Sequence, residues 1–263
     1  MGMGLMAVVA MVMFLLMTQT PAQGAVDCAT ASGAVDTDSD GFNDLEECSG
    51  IPLADASTYP SCVGTTLPRS SCLDPDTKDL FVILVRASVT NIPANPLEFI
   101  PSLGVTPHEI DATQADPARF VTPTQKAIRI TENLDTSDTY FGAANWGTPN
   151  SPDLAQIYTQ RIINHIDSVC GSASSCKDSA GTSYLSPFTD LKNLYIKNTL
   201  AHESGHLMEQ APDYNRRFGG NHYKTGSGVI MDQSVKYTKK GTKVTYYIAT
   251  EWSPTSQEAV TLK

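Results

Sequence analysis

Two histidines and a glutamate form a compact cluster in the last quarter of the chain, which reads His202-Glu203-Ser204-Gly205-His206. Histidines four residues apart project from the same face of a helix one turn apart, so both rings can reach one metal ion. Glu203 lies beside the first histidine, where its carboxylate can contact a water on the metal rather than the metal itself. The segment therefore predicts a zinc site with His202 and His206 as ligands and Glu203 as the catalytic general base.

The sequence that follows resembles the metzincin group of zinc peptidases. Gly219-Gly220-Asn221-His222 supplies a glycine three residues before a third histidine, and Gly226-Ser227-Gly228-Val229-Ile230-Met231-Asp232 is similar to the methionine turn of that group. The resemblance implies that His222 is the third zinc ligand and that Met231 packs beneath the histidines without binding zinc. It also implies an α+β domain with a mixed sheet and an active-site helix. Extra residues separate His206 from this region, an insertion that leishmanolysin-like relatives share.

Carboxylates elsewhere compete with His222 for the third ligand position. Glu209 lies almost one further helical turn of about 5 Å beyond His206, too far for one tetrahedral site. Asp213 follows a helix-breaking proline, and Asp232 adjoins the segment similar to the methionine turn. A zinc peptidase of a different clan would use Asp232 or Glu251 instead. His222 is the predicted ligand because histidine is a favoured zinc ligand and the glycine pair before it lets the chain double back beneath the helix.

A second predicted metal site is the acidic loop from Asp36 to Glu47. It has acidic residues at loop positions 1, 3, 5, 9 and 12 and Gly41 at position 6, which is the spacing of a calcium loop. The loop resembles a single thrombospondin type 3 repeat, and we expect its calcium to be structural. The predicted oxygen ligands are Asp36, Asp38, Asp40, the Phe42 carbonyl, Asp44 directly or through a water, and Glu47.

The cysteines and the first residues predict an exported protein. An apolar run over residues 5–17, followed by small residues to Ala25, is typical of a signal peptide. All six cysteines follow it, and an even number in an exported chain favours disulfides. The simplest of the 15 possible connectivities pairs neighbours. It joins Cys28 to Cys48, Cys62 to Cys72 and Cys170 to Cys176. We expect the protein to be secreted or extracellular, with a periplasmic or cell-surface location as alternatives.

Hydrophobic patterning divides the rest of the chain into elements. We predict a signal peptide over residues 1–25, a small Cys-rich calcium-binding module over 26–76 and a zinc metallopeptidase domain over 77–263. The fold class is α+β. His108 and His165 are predicted to be packed or surface histidines, the first in a loop and the second on a helix. The predicted elements are strands at Leu80–Val85, Lys126–Glu132 and Thr139–Ala144, helices from Pro152 to Val169 and from Asp190 to Pro212, a hairpin turning at Lys239–Thr242 and a last helix from Pro254.

Charge excludes one class of partner. The chain carries 28 acidic and 18 basic residues, a net charge of −10, which argues against a phosphate-binding surface and hence against nucleic acid. The predicted function is that of a secreted zinc-dependent endopeptidase. Its partners would be protein or peptide substrates, with the strand at Thr139–Ala144 as the edge that pairs with them, and no stable membrane association is expected after signal cleavage. The alternative is a calcium-stabilised extracellular binding or adhesion module with a non-catalytic zinc site.

Overall fold

The computed structural model describes residues 26–38, 42–53, 57–84, 91–111, 129–133, 140–145, 154–208, 228–231 and 235–254. These residues form a mixed α+β structure with a two-stranded, a four-stranded and a five-stranded sheet. The α-helices are α1 (Asp44–Ser49), α2 (Thr159–Cys170) and α3 (Thr189–Met208), and short 3-10 helices lie at Arg69–Ser71 and Pro101–Leu103. The strands are β1 (Ile51–Pro52), β2 (Thr58–Tyr59), β3 (Asp79–Leu84), β4 (Thr106–Asp111), β5 (Arg129–Asn133), β6 (Gly142–Asn145), β7 (Leu154–Tyr158), β8 (Ser175–Asp178), β9 (Ser183–Tyr184), β10 (Lys236–Lys240) and β11 (Lys243–Tyr247).

The five-stranded sheet carries the main core. Its strand order is β4-β3-β5-β7-β6, with four parallel strands and β6 antiparallel to β7 at one edge. The predicted apolar strand at Leu80–Val85 is confirmed as β3, and the strands predicted at Lys126–Glu132 and Thr139–Ala144 overlap β5 and β6. Pro107 lies on β4 at the opposite edge of the sheet. A proline has no N–H to donate, and on an edge strand this costs no hydrogen bond when its nitrogen faces away from the neighbouring strand.

The two faces of this sheet are covered by different parts of the chain. Leu80 and Val82 on β3 belong to the core that α2 and α3 complete. Phe81 points to the other face and forms a second cluster with Ile110 on β4 and with apolar residues of the N-terminal segment, which are Phe42, Ile51 and Leu73. The N-terminal segment is therefore one of the layers that bury the sheet.

The prediction of a helix from Pro152 to Val169 is wrong for its first residues. Residues 154–158 form strand β7, and α2 begins only at Thr159. The spacing of Leu154, Ile157 and Tyr158 fits a helix, but Ala155 and Ile157 are also two apart and both fully buried, as on a strand. Strand β7 pairs with β5 on one side and β6 on the other, and these two hydrogen-bonded ladders decide the outcome.

The smaller predictions outside this sheet are mostly confirmed. All three disulfides pair neighbours as predicted, and three disulfides are typical of a non-cytoplasmic environment. The hairpin turns between Lys240 and Lys243, with Gly241 at a φ of 61°. The last helix is predicted from Pro254, which is itself helical, and the residues after it lie outside the described ranges. Within the described ranges, no helix is long and apolar enough to cross a membrane.

His108 lies on strand β4 rather than in a loop, because β4 pairs with β3 along its whole length. It is fully buried. Its Nε2 lies 2.7 Å from Asp79 Oδ1 and its Nδ1 lies 2.9 Å from the Tyr59 hydroxyl. This network joins the N-terminal segment to the sheet, because Tyr59 lies on β2 and the other two residues lie on β4 and β3.

Candidate metal centre and catalytic site

Helix α3 positions the three residues of the predicted zinc site. Its buried face includes Leu191, Tyr195 and Leu200, which pack into the main core. Asp190 lies in the first turn, where a negative charge interacts favourably with the positive end of the helix. The described part of the helix ends at Met208, so His202 and His206 lie in its last two turns.

The two histidine rings converge. Nε2 of His202 and Nε2 of His206 are 3.0 Å apart. Two nitrogen ligands at about 2.0–2.1 Å from a tetrahedral zinc ion would be about 3.3 Å apart, close to this separation. Nδ1 of His202 lies 2.8 Å from the carbonyl oxygen of Ile230, which can only accept, so Nδ1 carries the proton. A neutral His202 therefore has its lone pair on Nε2, the atom that faces His206.

Glu203 is buried between α3 and the edge strand. Only 6% of its surface is exposed. A Cβ atom built on Gly142 of β6 would lie 2.6 Å from Oε1 of Glu203, so only glycine leaves room for the carboxylate there. Burial raises the pKa of Glu203 to about 8. A carboxyl with a pKa near neutrality can both accept and donate a proton at physiological pH.

In the metal-free protein, this carboxyl should make stability fall as the pH rises. Its folded pKa of about 8 exceeds the ordinary value of 4.5, so the folded form holds the proton more tightly. The stabilising contribution is complete below the ordinary pKa and is lost as the pH rises through about 8. Urea midpoints of zinc-free protein between about pH 5 and 9 measure the effect. Glu203→Gln should flatten the profile, and identical profiles for the two proteins would contradict the assignment.

Met231 packs beneath the helix that carries the histidines. It is fully buried, and its sulfur lies against the position that a Cβ on Gly205 would occupy. Cζ3 of Trp252 lies 2.8 Å from the same position. The segment is tied to the C-terminal part of the chain, because Ile230 N–H donates to the Glu251 carbonyl at 2.9 Å. Gly205 thus lets residues 230–231 and Trp252 approach the helix between the two histidines.

Gly205→Ala should therefore destabilise the protein, although alanine normally stabilises a helix interior by about 1 kcal/mol over glycine. The added methyl group meets Met231 and Trp252, and overpacking of this kind costs about 1–3 kcal/mol. Urea unfolding measures the difference. Asn193→Ala, a change to alanine on the same helix, should show no such loss. A Gly205→Ala protein as stable as the wild type would rule out the close packing.

The predicted third zinc ligand, His222, lies outside the described residues, and so do Asp213, Glu209 and Asp232. In the described part of the chain, no group of three or more histidine, cysteine or acidic side chains is positioned to hold a metal ion. Glu251, the ligand of the alternative clan, is described, and its side chain is exposed. The structure thus brings together two of the predicted ligands and the predicted base.

The predicted calcium loop contains unusually buried carboxylates. Asp38, Asp44 and Glu47 are 6%, 5% and 0% exposed. Asp44 accepts hydrogen bonds from the backbone N–H and the hydroxyl of Thr37 at 2.8 and 3.0 Å. Residues 39–41, including Asp40, lie outside the described ranges. Among the described residues, the other predicted acidic ligands (Asp36, Asp38, Asp44 and Glu47) do not converge on one point as a group of metal ligands would. Buried carboxylates this close in sequence repel one another, and a bound cation would offset that repulsion.

Calcium removal should lower the melting temperature substantially. Phe42, whose carbonyl is a predicted ligand, is fully buried, and its ring centroid lies 5.4 Å from that of Phe81 on β3. Loss of an ion present at about 100 times its dissociation constant removes roughly 2.7 kcal/mol, or about 5–10 °C for a chain of this size. Calorimetry with and without calcium tests this, with Glu47→Gln as the ligand variant. An unchanged melting profile together with no calcium binding would leave the loop as an acidic turn.

A shallow pocket lies next to the edge strand. It has a volume of about 320 Å³ and is lined by Phe141, Arg161, Asn164, His165 and Ser168. His165 is packed, as predicted, with its ring centroid 5.1 Å from that of Phe141. Burial, and then the Arg161 charge, lower the pKa of His165. The sequence does not reveal this pocket, because Phe141 lies just before β6, the other four residues lie on α2, and they share no motif.

No protein-family model matches the chain, and neither does any curated protein or solved structure. A proposed function therefore rests on how α3, β6 and the segment at Met231 are arranged.

Proposed function

We propose that the protein is an exported zinc-dependent endopeptidase with a metzincin-like catalytic domain. The observation that carries the proposal is the convergence of the His202 and His206 rings beside a buried Glu203. Three observations fit such a site. The separation of the two Nε2 atoms is close to that of two ligands on a tetrahedral zinc ion, and Nδ1–H of His202 donates to a backbone carbonyl. Met231 also packs against Gly205. The third ligand in this proposal is His222.

The chemistry divides between the metal and the chain. Zinc, when bound, polarises the scissile carbonyl and lowers the pKa of a water to roughly 7. Glu203 accepts a proton from the attacking water on a carboxylate oxygen and passes it to the leaving amine. Burial raises the pKa of Glu203, which strengthens its hold on the proton between the two transfers. The hydrogen bond from His202 to Ile230 holds the ring in the tautomer that leaves Nε2 available.

The edge strand supports an extended peptide as the substrate. Strand β6 pairs only with β7 among the described strands, so its other side can add a substrate strand through main-chain hydrogen bonds. Gly142 on β6 lies against the Glu203 carboxylate. A peptide paired with β6 would therefore run beside the general base. This arrangement favours cleavage within a chain, because an extended peptide can pass along an open edge in both directions.

Digestion of casein and of a peptide library by the purified protein tests the proposal. Calcium is kept constant, and a zinc-selective chelator is added and then followed by zinc. We expect cleavage that the chelator stops and zinc restores. Cleavage that the chelator leaves unchanged would contradict a zinc mechanism. Bound zinc with no cleavage of any substrate would favour the alternative of a calcium-stabilised binding or adhesion module.

A further inference from the structure

The four-stranded sheet has one face turned away from the core. Cys176 on β8 and Val244 and Tyr246 on β11 are buried, so the residues that alternate with them point outward. The strand pairing β10-β11-β8-β9 brings the corresponding residues of all four strands to the same face. The nine outward positions are Ser175, Lys177, Ser183, Lys236, Thr238, Lys240, Lys243, Thr245 and Tyr247.

Charge on this face is of one sign. Four of its nine residues are lysines and none is acidic, in a chain with 28 acidic and only 18 basic residues. All four lysines are exposed. None of the four forms an ion pair with another described residue; the ion pairs there involve other side chains. We call Lys177, Lys236, Lys240 and Lys243 the lysine face.

Stability does not explain this arrangement. Lys240 and Lys243 are directly paired across the hairpin, and like charges at directly opposite positions destabilise a sheet. A glutamate at either position would form a favourable cross-strand pair. The lysines also cover a defined area, since Lys236 and Lys240 are about 13 Å apart along β10 and three strands span about 10 Å. An external anionic partner would turn this repulsion into attraction.

We propose that the lysine face binds an acidic polysaccharide. Hydroxyl groups of Ser175, Thr238 and Thr245 lie among the lysines and match the hydroxyls of a saccharide. The Lys236 ammonium lies 5.3 Å from the centroid of the Tyr247 ring, which gives the face an aromatic surface beside a cation. Lysine is a point charge without the planar fork of arginine, so it can pair with anionic groups at varied angles along a polymer.

The composition of the face favours a saccharide over other polyanions. Binding to a lipid surface combines basic residues with apolar side chains that insert, and this face has only Tyr247 for that role. An extended acidic peptide binds at a sheet edge through backbone hydrogen bonds, whereas the lysine face is the flat side of a sheet. The three disulfides point to a compartment outside the cytoplasm, where nucleic acid is not the usual polymer.

Lys239 and Lys240 are neighbours on β10 whose side chains point to opposite faces of the sheet, so they provide a matched test. Lys240→Glu and Lys239→Glu change the net charge of the chain equally, but only Lys240 is on the lysine face. Binding of the full protein to immobilised heparin and to polygalacturonate is measured at about 0.1 M salt, where the Debye length is about 10 Å. We expect Lys240→Glu to weaken binding about five- to tenfold and Lys239→Glu to leave it almost unchanged.

The Lys240→Glu protein should remain folded and melt no lower than the wild type, because the introduced carboxylate would face Lys243 across the hairpin. A melting curve of the variant checks this, so that reduced binding is attributed to the lysine face only in folded protein. Equal losses in the two variants would show that only net charge matters and would overturn the proposal. Absence of binding to both polysaccharides would overturn it as well. Binding to phosphatidylglycerol vesicles but to neither polysaccharide would assign the face to a membrane surface instead.

Discussion

Replacing Glu203 by glutamine should abolish peptide hydrolysis while zinc stays bound. Glutamine has nearly the shape of glutamate and fits the same space against Gly142, but it cannot accept the proton of the attacking water. Loss of a general base lowers rates by about 10²- to 10⁴-fold. The zinc ligands are untouched, so the variant should bind zinc as the wild type does. Turnover of casein-derived peptides and zinc content by mass spectrometry, on the same preparation, measure both expectations.

Glu251→Gln is the matched control for this change. Glu251 is an exposed carboxylate whose backbone carbonyl joins the segment at Ile230, and in the alternative clan it would be a zinc ligand. The control should keep both zinc and activity. Undiminished turnover by the zinc-loaded Glu203→Gln protein would remove Glu203 from the mechanism. Loss of zinc in Glu251→Gln would instead favour the other clan.

His222→Ala should lose zinc and activity together. A catalytic zinc site has three protein ligands and one open position, and the described part of α3 supplies two predicted ligands, His202 and His206. Loss of a residue that merely orients a ligand costs about 10- to 100-fold in affinity, so loss of a ligand itself should cost more. Zinc titration against a competing chelator gives the affinity. Peptide turnover is then measured at a zinc concentration that saturates the wild type.

Asp213→Ala is the variant that separates the competing assignments. We expect it to keep zinc and activity, because Asp213 is offset from the position that the compact motif would use. Full zinc occupancy in His222→Ala, with zinc lost from Asp213→Ala, would make Asp213 the third ligand. If both the His222→Ala and the Asp213→Ala proteins retain zinc, the third ligand would be Asp232, or Glu251 as in the alternative clan.

The elements that the sequence predicts well depend on local patterns. Strand β3 is a continuous apolar run, the first turns of α3 carry Leu191, Leu194 and Tyr195 at helical spacing, and the hairpin has glycine at its turn. Each of these signals lies within a few neighbouring residues. The segment at Leu154–Tyr158 is different, because its pattern fits a helix and a strand equally well. Only its pairing with β5 and β6, which lie outside the segment itself, makes it a strand.

The candidate site shows the same division between local and long-range information. The relation of His202, Glu203 and His206 follows from helical geometry, so the sequence predicts it. The contact between Gly142 and Glu203, and the packing of Trp252 below Gly205, join residues about 50 or more positions apart. No single-sequence pattern reports contacts at that separation. The same holds for the buried network of Tyr59, His108 and Asp79.

A crystal structure of the zinc-loaded protein, measured on both sides of the zinc absorption edge, tests the central claim most directly. The proposed site predicts one strong anomalous peak about 2.0–2.1 Å from Nε2 of His202 and of His206, with a third ligand from His222. Glu203 should lie near the peak without binding it. A zinc-saturated crystal with no peak between the two histidines, or with zinc only at another site, would contradict the assignment of this protein as a zinc peptidase.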